Sequence, residues 1–142
     1  MDKNSNVGRP KKYATPEDLQ EAIDSYFLKC DRNTKLFFTK DGTAIDVPDP
    51  IPYTIEGLCE VLDLDRSNVL CYEKDESHAD FHHTVKRAKL KIQRNKVERG
   101  LMGTSNPAVS IFDLKNNHNY VDRQEQRNTN INVTIDSDDA NL

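Results

Sequence analysis

Residues 55–72 carry apolar side chains in a spacing that only a few folds accommodate. Leu58, Leu62, Leu64, Val69 and Tyr72 fall where two short crossed helices need them, and small Cys59 sits where the two helices come closest. The pattern predicts a helix-turn-helix over residues 54–74, capped by Thr54, with Asp65 or Arg66 opening the second helix. In the turn, where glycine is usual, the chain has Asp63, which tolerates a left-handed backbone better than most residues.

Charge divides sharply at the end of this unit. Residues 54–77 hold Glu56, Glu60, Asp63, Asp65, Glu73, Asp75 and Glu76 against Arg66 and Lys74. Residues 78–100 hold Lys86, Arg87, Lys89, Lys91, Arg94, Lys96 and Arg99 against Asp80 and Glu98. A net charge of -4 does not mark a nucleic-acid binder, but a basic helix can contact phosphates while the rest of the molecule stays acidic.

The flanking sequence reads mainly as helix. Thr15-Pro16-Glu17-Asp18 is a helix start, and Leu19, Ala22, Ile23, Tyr26, Phe27 and Cys30 recur on one face, predicting a helix that runs to about Cys30. Residues 35–47 change period, with Asp41-Gly42 between two short apolar runs, and predict a hairpin that needs cover from the helices or from a neighbouring subunit. The prolines at 50 and 52 make an extended connector. A longer helix is expected to begin between Ser77 and Asp80 and to end at Gly100 and Gly103. Its Phe81, Val85, Ala88 and Ile92 repeat at four, three and four, which suits a coiled-coil-like oligomerisation seam. Asn106-Pro107 starts another helix that stops near Asn116. Ile131, Val133 and Ile135 alternate with polar residues as in a strand, which must pair with the distant hairpin, pair with other chains or remain disordered, before an acidic tail.

The expected organisation is a basic N-terminal arm over residues 1–13, a helical core over 14–120, and a C-terminal strand and tail over 121–142. Hydrophobic content of 35% and a mean hydropathy of -0.81 are low for a self-contained globule, which fits surface buried against other chains.

Catalytic motifs are scarce. The chain has no GxxxxGK[ST] phosphate loop, no GxSxG elbow and no HExxH, so ATPase, esterase and zinc-protease chemistry lack their defining parts, and the expectation is a non-enzymatic protein without cofactor. His78 and His82 stand one helical turn apart, but no third ligand lies at a sensible spacing, and surface histidines explain them more simply. Cys30, Cys59 and Cys71 form no CxxC pair and read as small buried residues in a reducing, intracellular setting. No apolar run approaches the roughly 20 residues of a membrane span, and the N-terminus lacks a signal-peptide core, so a cytoplasmic location is expected.

Three segments are candidates for DNA contact. Arg66, Ser67 and Asn68 open the second helix of the helix-turn-helix, although Asp65 and Glu73 beside them would repel phosphates. Lys86, Arg87, Lys89, Lys91, Arg94, Lys96 and Arg99 offer phosphate contacts from the long helix, or else neutralise the acidic unit of an adjacent subunit. Arg9, Lys11 and Lys12 lie in a Gly8-Arg9-Pro10-Lys11-Lys12 stretch similar to the core of an AT-hook, or serve as a basic tail that touches phosphates without sequence choice.

In order along the chain, residues 8–13, 15–19, Tyr53-Thr54-Ile55-Glu56-Gly57-Leu58 and Asn106-Pro107-Ala108 leading to Ile111-Phe112-Asp113-Leu114-Lys115-Asn116 resemble the small terminase subunits of tailed bacteriophages. That resemblance implies a ring of roughly eight to twelve copies in the host cell cytoplasm. It implies a subunit that recognises the packaging-initiation site on double-stranded viral DNA and regulates the ATPase and nuclease of a large terminase subunit. In some members, C-terminal strands close into a barrel, a role that residues 131–135 would suit. The alternatives are a dimeric helix-turn-helix transcription regulator reading two half-sites, and a structural assembly protein with no DNA contact.

Overall fold

The computed structural model describes residues 12–123. The first helix, α1 (Pro16–Asp31), starts where expected: Thr15 caps it by accepting from the Asp18 N–H at 3.2 Å, with proline in its first turn. Strands β1 (Thr34–Phe38) and β2 (Ala44–Pro48) pair antiparallel, Phe37 opposite Ile45. Their turn closes through the Gly42 N–H donating to Thr39 O at 2.9 Å, and Gly42 takes φ +78, which glycine adopts without strain.

Helices α2 (Ile55–Leu62) and α3 (Arg66–Lys74) follow, each with the cap its sequence announces, Thr54 to the Gly57 N–H and Asp65 to the Asn68 N–H. Asp63 is left-handed, φ 51 and ψ 45, as its place in the turn required. Its N–H donates to Glu60 O and the next N–H, of Leu64, to Cys59 O, so the last carbonyls of α2 are satisfied in a Schellman arrangement.

Residues 76–81 differ from expectation. They form a 3-10 segment broken at His78 (φ -120), and the long helix α4 (His82–Leu101) begins only afterwards. Two contacts account for the delay. The Tyr72 ring packs edge-on to His78 and Phe81, with centroids 4.6 and 5.0 Å away, which draws the chain inward, and His82 Nε2 bonds the Asp75 carbonyl at 2.8 Å. The last helix, α5 (Pro107–Asn117), is capped by Asn106.

The core lies among α1 to α4. Leu19, Ile23, Leu58 and Ile92 are at most 1% exposed, and Tyr26, Phe27, Tyr53, Leu62, Val69, Tyr72 and Val85 close around them. Gly57 is required by closeness: a Cβ there would sit 2.8 Å from Tyr26 Oη. That hydroxyl ties α1 to the start of α2 by donating to Thr54 O and accepting from the Thr54 N–H.

Phe81, Val85, Ala88 and Ile92 belong to this core, each at most 4% exposed. The expected intersubunit seam is therefore an internal one. A four-three-four repeat spans only about three turns and suits a core-facing stripe as well as a coiled coil, and here α1 and α3 of the same chain cover it. Ile131, Val133 and Ile135 lie outside the described residues.

Two elements stay outside the core. Leu36, Phe37, Phe38 and Ile45 of the hairpin are all exposed, and the sheet is anchored at its base, where Asn33 and Asp49 exchange two hydrogen bonds at 2.7 and 2.8 Å. Helix α5 buries none of its residues. No helix among the described residues is long and apolar enough to cross a membrane.

Candidate nucleic-acid interface

The basic residues of α4 divide into two groups with different employment. Lys89 reaches α3 and pairs with Glu73 at 2.9 Å, in a half-buried setting. Lys96 is 7% exposed and pairs with Asp113 of α5 at 2.5 Å. Lys91 holds its ammonium 4.2 Å from the centre of the Phe27 ring, and Arg99 donates to Pro50 O. These four side chains hold the subunit together. Of the residues expected to contact phosphates, Lys89, Lys96 and Arg99 are thus engaged within the subunit, and Lys91, though exposed, lies over the Phe27 ring.

Lys86 and Arg87 remain, both exposed and without an ion-pair partner among the described residues. Arg94 is exposed too and pairs only with Glu98 one turn on, a surface pair of little strength that a phosphate could displace. Lys86, Arg87 and Arg94 therefore form the part of the run that can meet a polyanion.

At the start of α3, Ser67 is less available than its position suggested. Its hydroxyl donates to Asp65 at 2.6 Å, and this bond, with the N–H of Asn68, holds the Asp65 carboxyl below its ordinary pKa. The carboxylate stays charged beside the residues proposed to meet DNA, a standing repulsion toward phosphate. Asn68 is exposed. Arg66 donates to the side chain of Asn117 at the far end of α5. Arg66, Ser67 and Asn117 line a cleft of about 440 Å³ between α3 and the end of α5. Nothing in the helix-turn-helix spacing reveals this neighbour, because the partner lies 51 residues away and pairs through polar atoms.

Lys12 is pinned to the α2–α3 turn, donating to the backbone oxygen and to the carboxylate of Asp63 at 2.9 and 2.6 Å, and this contact lowers the Asp63 pKa. Beside it the Tyr13 hydroxyl donates to Leu62 O. Arg9 and Lys11 lie outside the described residues.

His78 and His82 are each engaged locally, His78 with Ser77 and the Tyr72 ring, His82 with the Asp75 carbonyl. Among the described residues no group of three or more His, Cys, Asp or Glu could hold a metal ion. Burial raises the Cys59 thiol pKa, and a hydrogen bond to Asp75 raises that of Cys71, the reverse of what an activated nucleophile needs.

The chain belongs to a family of phage DNA-packaging proteins. Residues 8–126 match the family described as DNA-packaging protein gp3, so the match takes in the hairpin, all five helices and part of the basic arm. No curated protein matches the chain.

Proposed function

We propose that this protein is the small, non-catalytic subunit of a terminase, recognising viral DNA at the packaging-initiation site and regulating the ATPase and nuclease of a large subunit in the host cytoplasm. The observation that carries the reading is the family match across residues 8–126. The outward stripe of Lys86, Arg87 and Arg94 supports a phosphate-contacting role, with Arg66 and Asn68 of the helix-turn-helix and the Arg9, Lys11 and Lys12 arm as further contacts. Acidic groups stand beside several of these, Asp65 next to Arg66 and Asn68, Asp63 on Lys12 and Glu98 on Arg94, so useful affinity requires several copies acting together.

A ring supplies those copies, and two features favour assembly. Hairpin residues Leu36, Phe37, Phe38 and Ile45 and the α5 residues Val109, Ile111 and Phe112 all leave apolar surface in water, in amounts a solitary subunit has no use for. Mass measurement in solution tests the assembly: roughly eight or more copies fit the ring, whereas a stable dimer would favour a transcription regulator. For DNA contact, the test is the doubly reversed variant Lys86→Glu with Arg87→Glu. Binding to a duplex should weaken, and the salt slope of log K should shrink by about 2, close to 0.9 per lost phosphate contact. An unchanged slope would remove this stripe from the interface.

A further inference from the structure

The end of α5 steers the chain back along α4. Lys96 meets Asp113 at 2.5 Å and His118 Nε2 at 3.2 Å, and Gln93 donates to the Tyr120 hydroxyl at 2.9 Å. Between these contacts Asn119 takes φ +60 and the Tyr120 N–H donates to Leu114 O, which closes the last turn of the helix. As the chain rises from 113 to 120 its partner on α4 falls from 96 to 93. The two segments therefore run in opposite directions, and beyond Tyr120 the chain is aimed at the N-terminal half of α4.

Ahead of it, on the helix face that carries Gln93, stand first an apolar and then a cationic residue. Leu90 is three positions back and 54% exposed. Lys86 is seven positions back, two turns or about 10 Å away, exposed and without an ion-pair partner among the described residues. Arg87 and Arg94 share the adjoining face. The sequence that follows Tyr120 repeats the order of apolar, then charged, with the opposite sign. Ile131, Val133 and Ile135 come first, then Asp136, Asp138 and Asp139, with no lysine or arginine from 136 to 142. Between them and Tyr120, Arg123 and Arg127 stand against Asp122 and Glu125. The sixteen residues from Tyr120 to Asp136 span up to about 55 Å when extended, so Lys86 lies well within their reach.

We propose that residues 135–139 dock on α4 of their own chain, Ile135 against Leu90 and the aspartates against Lys86 and Arg87, where their carboxylates stand in for phosphates and compete with DNA. The competition rests on the reading of Lys86, Arg87 and Arg94 as phosphate contacts, whereas the docking does not. Tethering makes a weak contact sufficient. A short flexible tether presents its segment at about millimolar concentration, so an intrinsic affinity of only about 0.1 mM lowers DNA binding about tenfold. A duplex that engages several copies at once overcomes this, and a contact with one copy does not.

The test uses the full chain, first without DNA. A carbodiimide joins a lysine amine to a carboxylate in contact with it as an amide, taking up the water released, and peptide mapping should find Lys86 joined to Asp136, Asp138 or Asp139. In co-assembled unlabelled and heavy-isotope protein, both halves of each joined pair should carry the same label. No product at Lys86, pairs of mixed label, or Lys86 joined instead to Glu56, Glu60 or Glu73 of another copy overturns the docking. The combined variant Asp136→Asn, Asp138→Asn, Asp139→Asn should bind a fluorescent duplex about tenfold more tightly at low salt, and adding Lys86→Glu with Arg87→Glu should abolish the gain. A joined tail without any gain overturns the competition. A gain that survives the charge reversal comes from general repulsion and overturns it too. If the charge reversal leaves duplex binding unchanged in every background, the phosphate-contact reading of the stripe fails and the competition with it, while the amide mapping decides the docking by itself.

Discussion

The four-helix core and helix α5 are secured by opposite physical means. In the core, Leu19, Ile23, Leu58 and Ile92 are shut away from water and stabilise by apolar burial, which changes little with pH or salt. In α5 the apolar residues Val109, Ile111 and Phe112 face outward, only Leu114 of its large apolar residues is half-buried, and the polar ties to the rest of the subunit run through the Lys96–Asp113 ion pair and the Asn117 amide. The difference separates what must persist from what can change. Burial gives a scaffold that loses structure all at once, whereas polar attachment gives an element that solution conditions can loosen by itself.

The largest expected effect tests the core side of that contrast. Leu58→Ala removes a fully enclosed side chain and should cost about 2–5 kcal/mol, seen as a lowered urea midpoint with α1 and α4 losing protection together. Gly57→Ala should follow at about 1–3 kcal/mol, because the added methyl meets Tyr26 Oη, and Tyr26→Phe in the same chain should recover part of the loss. If α1 and α4 instead lost protection separately, the core would not be one cooperative unit.

The next effect is local and depends on pH. Burial first, then the neighbouring Lys96, lowers the His118 pKa, with Lys89 acting the same way and Asp113 and Glu56 opposing. Unfolded histidine takes up a proton below about 6.5 while His118 in place does not, so α5 should lose stability as pH falls from there toward the His118 folded value. Asp113 adds a second stage: its contribution is present above about 3.9 and disappears as pH falls through its lowered folded value. Exchange in residues 107–118, corrected for its intrinsic pH dependence, should thus accelerate on acidification before the core does. Simultaneous loss would erase the contrast.

The smallest effect on the subunit should come from Phe112→Ala. An exposed side chain away from any packing changes stability by within about 0.5 kcal/mol, yet under the ring reading the mass in solution should fall. A full-sized assembly with this change would exclude the α5 face from contacts between copies.

Much of the scaffold is legible in the chain. Thr15, Thr54, Asp65 and Asn106 cap the helices whose starts they mark, and Asp41-Gly42 places the hairpin turn, because caps and turns depend on a few neighbouring residues. For Phe81, Val85, Ala88 and Ile92 the spacing gives the apolar face but not its partner, since periodicity says which side is apolar and not which surface covers it. The basic run misleads in the same way. Lys89, Lys91 and Lys96 resemble Lys86 in sequence, and only the fold shows that Glu73, Phe27 and Asp113 have engaged them. Pairings such as Lys96 with His118 or Arg66 with Asn117 leave no periodic trace.

The base of the hairpin carries one more consequence. Because Asn33 and Asp49 clasp each other, the chain leaves and re-enters the helical body at nearly one point, and residues 34 to 48 form an excursion whose strand pairing is with itself. Such an excursion can lengthen, shorten or change its apolar residues over evolutionary time without the helices having to readjust. What the hairpin touches can thus be changed by substitution in residues 34 to 48 while the helical body is left as it is.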